Sequence, residues 1–351
     1  MEKNLFFDKE IFKKLTEDYD NLENKPSKYW QEYVSLILSE IQKDELRGFG
    51  KSYNLTRGFG DAMTFPKRAK IRKLIRFPFL YEPVEKFLAL RKQKKQQKGI
   101  FEKSKDFFSE KDFMRRLSKE LNAVTESLEI NRYIVIEGSK VPWRYLQFFA
   151  YIELIHKLIE TNELKINIED LLNCNTLDIG GGYGPVTDGF YCYKTMNNIG
   201  TNSTDYILDQ YPVAFIANQY LTYRHKDIIL CPLSSDNDFL TKKEEPGHNI
   251  RVIQNTASDN LKGLNIGLFF NSNSFQEMDL SQVKHYSKFM KENKSSSSYL
   301  MCFYYSGYDL DSGRNSPKPS LEFFESEFNL LGKSALSLDG FVDGTLYLFE
   351  I

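Results

Sequence analysis

The sequence predicts an α/β fold, a mostly parallel sheet covered by helices on both faces, preceded by a helical region. Three observations predict it. From about residue 170, short apolar runs alternate with helical patterns, as a parallel sheet with crossover helices requires. One apolar run passes straight into a glycine turn and then a helix. The first 135 residues or so carry helical spacing instead.

In chain order, Trp30, Val34, Ile37 and Ile41 recur on one helical face. Phe113, Leu117, Leu121, Val124 and Leu128 do the same, with Ser109 placed to cap that helix. Between them Arg-Gly-Phe-Gly occurs twice, at 47–50 and 57–60, too briefly for a solenoid repeat. Paired turns and a mobile substrate-side lid both suit it. The run Arg91–Lys98 reads as a solvated helix end or a basic patch. A helix follows Pro142, with Trp143, Leu146, Phe149, Ile152, Ile155 and Ile159 at helical spacing. The predicted strands are Thr176–Ile179, Tyr206–Leu208, Arg251–Ile253, Ile266–Phe270, Tyr299–Tyr304, Ala335–Leu338 and Leu346–Ile351. Ser234–Asn249 is polar and reads as a surface insertion. The division is placed at 140, giving a helical region 1–140 and an α/β domain 141–351.

Composition excludes several classes. In 351 residues, 47 Lys and Arg balance 48 Asp and Glu, so no basic excess marks a nucleic-acid binder. Cys174, Cys192, Cys231 and Cys302 are too dispersed for a disulfide scaffold or a zinc site. The start lacks a basic region before an apolar block, and the apolar stretch 145–159 is broken by Gln147, Glu153, His156 and Lys157. The expectation is a cytoplasmic protein with no membrane span. His156, among apolar neighbours, is expected in the core. The chain is rich in aromatics, with Phe 28 and Tyr 21. Tyr53, Phe59, Phe65 and Tyr81, near Gly and Arg, suit either packing or stacking on a ligand ring.

The strongest motif is Leu177-Asp178-Ile179-Gly180-Gly181-Gly182-Tyr183-Gly184-Pro185. Pro185 suits the first helical position, where its missing N–H is harmless. The dinucleotide fingerprint Gly-x-Gly-x-x-Gly fails from either start, because residue 185 is Pro and residue 187 is Thr. No Gly-Lys-Ser/Thr follows, so it is no phosphate-binding P-loop. What stands is Asp-x-Gly-x-Gly-x-Gly. The next strand, Tyr206-Ile207-Leu208, ends in Asp209, an acid able to accept from a ligand's hydroxyls or to cap a helix. The fourth strand runs into Asn271-Ser272-Asn273-Ser274-Phe275-Gln276-Glu277-Met278, where ligands sit in open α/β sheets. Asp279 and Gln282 have the spacing of a capping box for the helix after it.

The glycine pattern resembles motif I of class I S-adenosylmethionine-dependent methyltransferases. Together with Tyr206–Pro212 and Asn271–Met278 it is similar to the bacterial family described as sugar O-methyltransferases, over about residues 130–310. That family often has Glu where Asp178 stands, and places its proline one residue closer to the acid than Pro212 is to Asp209. The resemblance implies a Rossmann-like class I methyltransferase fold, with a mostly parallel seven-stranded sheet flanked by helices. It also implies an S-adenosylmethionine-dependent methyltransfer to a sugar hydroxyl in bacterial surface glycan synthesis. Asp178 would lie near the methionine ammonium. Gly180, Gly181, Gly182, Tyr183, Gly184, Asp209 and Asn271 would complete the cofactor side, and Asn273 and Ser274 would hold the acceptor.

An alcohol needs a base within hydrogen-bond reach. Glu277 is the first candidate, with a carboxylate that orients Asn271 or a helix end as the bland role. His285, two turns into the next helix, is the second, and a solvated helical histidine is its bland role. A divalent metal could also lower the hydroxyl pKa, though no His/Asp/Glu set has strong ligand spacing. The expected partner is a small-molecule or glycan acceptor, with no nucleic acid. The rival functions are methylation of another small molecule and non-catalytic binding on the same fold. Oligomeric state is not legible.

Overall fold

The computed structural model describes residues 5, 7–20, 28–47, 49–52, 55, 110–130, 133–225, 248–255, 258, 261–305, 318–337 and 343–351. Several expectations lie outside these residues: the second Arg-Gly-Phe-Gly copy, Tyr53, Phe59, Phe65, Tyr81, the Arg91–Lys98 run, Ser109, Cys231, and nearly all of the 234–249 insertion. The side chain of Trp30 also lies outside them.

The helices are α1 (Lys9–Asp20), α2 (Lys28–Asp44), α3 (Lys111–Ser127), α4 (Trp143–Thr161), α5 (Ile168–Leu172), α6 (Pro185–Asn197), α7 (Val213–Arg224), α8 (Leu280–Asn293) and α9 (Lys318–Glu327). The strands are β1 (Tyr133–Ile136), β2 (Ser139–Pro142), β3 (Asn175–Ile179), β4 (Thr204–Asp209), β5 (Asn249–Gln254), β6 (Ile266–Ser272), β7 (Lys294–Tyr305), β8 (Asn329–Ser337) and β9 (Asp343–Glu350). Seven of them form one sheet in the order β5-β4-β3-β6-β7-β9-β8. β9 alone runs antiparallel to its neighbours β7 and β8. The chain starts in the middle at β3, steps outward to β5, and then returns across β3 to β6. That reversal opens a crevice above the carboxyl ends of β3, β4 and β6.

Strand alternation builds two apolar layers. Leu177, Leu208, Ile253 and Phe269 face the layer of α8 and α9, with Val283, Phe289 and Phe324. Ile207, Val252, Leu268 and Phe270 face the layer of α4, α6 and α7. α4 is buried almost all round, from Arg144 to Ile155, which is why its pattern is apolar on every side. The cluster of the α4, α6 and α7 layer continues without a break into the N-terminal helices. Val34, Ile37 and Ile41 belong to it, as their spacing predicts. Phe12 and Tyr19 of α1 pack on Tyr211, just after β4.

Three local expectations need correction. Residues 133–142 were read as the end of the helical region and the approach to α4. They form a hairpin, β1 with β2, joined by Glu137 and Gly138, both at positive φ (46° and 82°). Such two-residue turns match strand twist, and the β-branched Ile134-Val135-Ile136 before Gly138 was the missed signal. The cap of α3 is Glu110, and it makes no side-chain cap bond. Its carboxylate is taken instead by the Tyr193 hydroxyl, which donates at 3.1 Å. His156 lies 3.2 Å from that same carboxylate and is partly exposed, so it is no core histidine. The first Arg-Gly-Phe-Gly copy is anchored. Phe49 is buried and sits edge-on to Tyr183 of the glycine turn, 5.7 Å between centroids.

Candidate functional site

β3 is buried along both faces because it lies at the centre of the sheet, and its ladder runs one residue past its end. The Gly180 N–H donates to Leu208 O at 2.7 Å. Gly180 then takes φ +74°, and a Cβ there would stand 2.3 Å from Ser274 Oγ, so both backbone and space require glycine. Pro185 opens α6 at the expected first position. The Gly182 N–H donates to Asp209 Oδ2 at 2.8 Å, and the Gln210 N–H donates to Asp209 Oδ1 at 2.7 Å. The strand-two acid is therefore held against the glycine turn by backbone alone. It caps no helix, since α7 starts at Val213 after a cis Tyr211–Pro212 bond.

Asp178 is 3% exposed. Its Oδ2 accepts from Thr187 Oγ1 at 3.2 Å, and its Oδ1 has no hydrogen-bond partner. Burial pushes the carboxyl of Asp178 up to about 7, with Thr187 opposing and the Asp209 charge adding. Burial also pushes Asp209 up to about 7, against the Gly182 and Gln210 N–H bonds and with help from Glu277. Buried acids hold protons more readily than free carboxylates do.

Asn271 and Ser274 tie β6 to β3. Asn271 Nδ2 donates to Ile179 O at 2.7 Å and to Ser274 Oγ, while Asn271 Oδ1 accepts from the Phe275 N–H at 3.1 Å. Ser274 Oγ donates to Ile179 O at 3.0 Å. These bonds give both side chains to the frame of the site. Asn273 is different: it is buried at φ 74° and its Oδ1 has no partner. A buried non-glycine residue in the left-handed region marks a place where the fold accepts local strain. Glu277 follows the short Ser274–Gln276 turn, half-buried, within electrostatic range of Asp209. His285 is not brought there. It lies exposed on α8, with Nε2 3.3 Å from Ser258 Oγ, at the β5 side of the sheet.

A small cleft lies between the glycine turn and α4. Asp178, Gly180–Tyr183 and Pro185 form one wall; Arg144, Gln147 and Ser272 line the rest. Arg144 is 7% exposed, and its guanidinium donates to Gln147 Oε1 at 2.7 Å. Gln147 Nε2 donates to the Tyr305 hydroxyl, and Tyr151 shares a hydrogen bond with Ser272. The sequence reading missed Arg144, Gln147 and Tyr151. Their signal was a polar stripe at i, i+3 and i+7 on an otherwise apolar helix.

Among the described residues, one His/Cys/Asp group is compact enough for a metal: Asp188, Cys192 and His225. Arg224 Nε donates to Asp188 at 2.7 Å, so a guanidinium already supplies the positive charge. Burial opposes the charge of Asp188, but Arg224 and His225 outweigh it and hold that carboxyl well below the usual range.

Strand order, glycine turn and strand-end acid together define a mostly parallel, Rossmann-like α/β fold, the architecture that the sequence resemblance implies. No family model and no curated protein matches the sequence. Among solved structures, the chain is similar to a SAM-dependent methyltransferase from Aquifex aeolicus, at 15% identity and TM-score 0.34, covering 51% of this chain and 82% of that one. It is similar to fibrillarin from Aeropyrum pernix with bound S-adenosylmethionine, at 10% identity and TM-score 0.34, covering 62% and 81%. A third is magnesium protoporphyrin IX methyltransferase from Synechocystis, at 8% identity and TM-score 0.36, covering 59% and 82%. At that distance the fold assignment rests on the topology of this chain itself.

Loss of the Asp209 carboxylate removes the acceptor for Gly182 and Gln210 as well as any ligand bond. Asp209→Ala is expected to weaken S-adenosylhomocysteine binding about 10- to 100-fold, as for one charged hydrogen bond. Titration calorimetry measures it, and unchanged affinity would remove Asp209 from the binding site.

Proposed function

We propose that the chain is an S-adenosylmethionine-dependent O-methyltransferase acting on a sugar hydroxyl in bacterial surface glycan synthesis. The observation that carries the cofactor is charge in one cleft. Asp178 keeps a free Oδ1, and the buried guanidinium of Arg144 lines the same space. A carboxylate and a guanidinium suit the ammonium and carboxylate of an amino acid. Asp209, at the neighbouring strand end, suits a ribose diol. The sugar acceptor is supported by the motif resemblance, and by the neutral groups beside the cleft: Gln147, Ser272, Tyr151, Tyr305 and Asn273.

Mechanism. When bound, the cofactor supplies an electrophilic sulfonium methyl group. The chain's own contribution begins with positioning, which makes a bimolecular reaction effectively unimolecular. Asp178 and Arg144 fix the amino-acid end, and the glycine turn admits close backbone approach. Glu277 takes the proton of the acceptor hydroxyl. Asn273 Oδ1 accepts a hydrogen bond from the sugar. The helical region 1–140 caps the acceptor side through Phe49 and α1.

Arg144→Met is expected to weaken S-adenosylhomocysteine about 10- to 100-fold, yet leave 5′-methylthioadenosine, which lacks the amino-acid end, within about a factor of three. Equal losses for both would place Arg144 elsewhere.

The two acids also set a pH dependence. In the empty protein Asp178 and Asp209 are raised to about 7 from 3.8, so the stability they contribute is full below about 4 and is lost as pH rises through about 7. A ligand that brings an ammonium and hydroxyl donors prefers both acids ionised. Affinity for S-adenosylhomocysteine should therefore strengthen from pH 6 to 8, with protons released on binding. Calorimetry in two buffers of different ionisation enthalpy reads the protons; uptake instead of release contradicts the assignment.

The whole reading is tested in two stages. No S-adenosylhomocysteine binding at millimolar concentration would sink it. Surface glycan from cells with and without the gene should differ by one methylene per methylated unit in mass spectrometry.

A further inference from the structure

Two helices wall the cleft, α4 with Arg144 and Gln147, and α6 with Pro185 and Val186. Both walls lie at helix starts, and neither start has a side-chain cap: the residues ahead of them are Pro142 and Gly184. A helix start without such a cap leaves its leading N–H groups without side-chain partners and holds its shape poorly by itself.

Arg144 and Gln147 share one face of α4. Tyr145 and Phe148 share the next, about 100° round, and meet α6. Phe148 lies over Gly189, where a Cβ would stand 2.4 Å from its ring. That contact sets how closely the helices approach. Apolar packing has no direction, so it does not fix the rotation of α4 about its axis. Tyr145 supplies the direction. It is fully buried, and its hydroxyl donates to Asp188 Oδ2. With its proton given, its oxygen accepts from the Tyr220 hydroxyl at 2.7 Å. Asp188 is itself held fast: Arg224 Nε donates to Oδ2 at 2.7 Å, and His225 Nε2 bonds to Oδ1. An acid at the start of α6 and a cation at the end of α7 also suit the two helix dipoles. Thr187, beside Asp188, is the residue that donates to Asp178.

We propose that Tyr145 is a positioning residue: anchored on Asp188, it fixes the rotation of the first turn of α4 and so aims Arg144 into the cleft. Tyr145 does not line the cleft itself and acts through its sequence neighbour. This rests on the methyltransferase reading above, in which Arg144 meets the amino-acid end of the cofactor.

Tyr145→Phe keeps the ring and cuts the tie. Tyr220→Phe is the control, since it removes a buried hydroxyl from the same chain of bonds but leaves Tyr145 on Asp188. Both variants should melt below wild type. Tyr145→Phe alone should weaken S-adenosylhomocysteine about tenfold, while 5′-methylthioadenosine stays within about a factor of three. Calorimetry reads both ligands. Hydrogen exchange should quicken at the start of α4 in Tyr145→Phe and not in Tyr220→Phe. Wild type failing to bind S-adenosylhomocysteine would overturn the methyltransferase reading, and the aiming role with it. Wild type binding while Tyr145→Phe weakens both ligands equally, or neither, would overturn only the role of Tyr145. So would the same split in Tyr220→Phe, because the loss of any buried hydroxyl would then produce it. If Tyr145→Phe does not fold, exchange in the wild-type protein decides: a start of α4 as open as a frayed helix end would exclude the tie.

Discussion

Glu277→Gln is expected to lower turnover about 100- to 10,000-fold, some 3–5 kcal/mol of barrier, the usual contribution of a positioned base. S-adenosylhomocysteine affinity should stay within about a factor of three. The substitution keeps the volume of the side chain and its ability to accept a hydrogen bond. What it removes is the capacity to hold a proton. Glu277 follows the short 274–276 turn, whose ends are fixed by the Asn271–Ile179 bond and the Gln276–Tyr305 pair. It stands close enough to Asp209 for its charge to raise that acid. Comparison with Glu277→Ala separates the two roles left open by the sequence. If Gln keeps near-normal turnover and Ala does not, the side chain orients its neighbours and the base lies elsewhere. If both fall together, the proton is the issue. Single-turnover rates with the true acceptor decide between them.

Lys194→Met should cost about 3–5 kcal/mol of stability, among the largest losses available in the chain. Lys194 is fully buried on α6, and its ammonium donates to Cys174 O at 2.8 Å and to Asp205 Oδ1 at 2.6 Å. Asp205 is fully buried too, and accepts further bonds from Thr176 at 2.6 Å and at His248 at 2.6 Å. Burial opposes its charge, but Lys194 and His248 prevail and keep its carboxyl below the ordinary value. Removing the lysine leaves a buried carboxylate with the Thr176 hydroxyl and the His248 ring as its remaining hydrogen-bond partners. Denaturant melts measure the loss, and a change under about 1 kcal/mol would mean the pair adds little. A double substitution, Lys194→Met with Asp205→Leu, should recover much of it, because a buried pair is far less costly to remove whole than to break.

The sheet was legible because its strands carry unbroken apolar runs and its central turn carries glycine, proline and acid at fixed offsets. The Asp279–Gln282 capping box was legible for the same local reason, and forms as spaced. What escaped depends on distance along the chain. Arg144 and Gln147 meet the glycine turn only because α4 crosses the sheet above it, and the cleft they line joins residues more than thirty positions apart. Asn271 and Ser274 were found as a polar cluster at a strand end, but polarity does not reveal whether a side chain faces a ligand or its own backbone. The hairpin at 133–142 was hidden by helical segments on both sides, its Gly138 being a single cue.

Phe49 and Tyr183 have a consequence for how the protein can be divided. Tyr183 belongs to the turn that suits the cofactor, yet its ring is covered by a residue from the first fifty, and Tyr211 and Phe215 are covered in the same way by Phe12. A fragment beginning at residue 141 would carry the whole sheet and every strand-end acid, but it would present a bare aromatic face beside its own ligand crevice. Such a face is sticky in water. The α/β portion is thus no portable module: exchanging the N-terminal helices between proteins would mean exchanging these ring contacts with them.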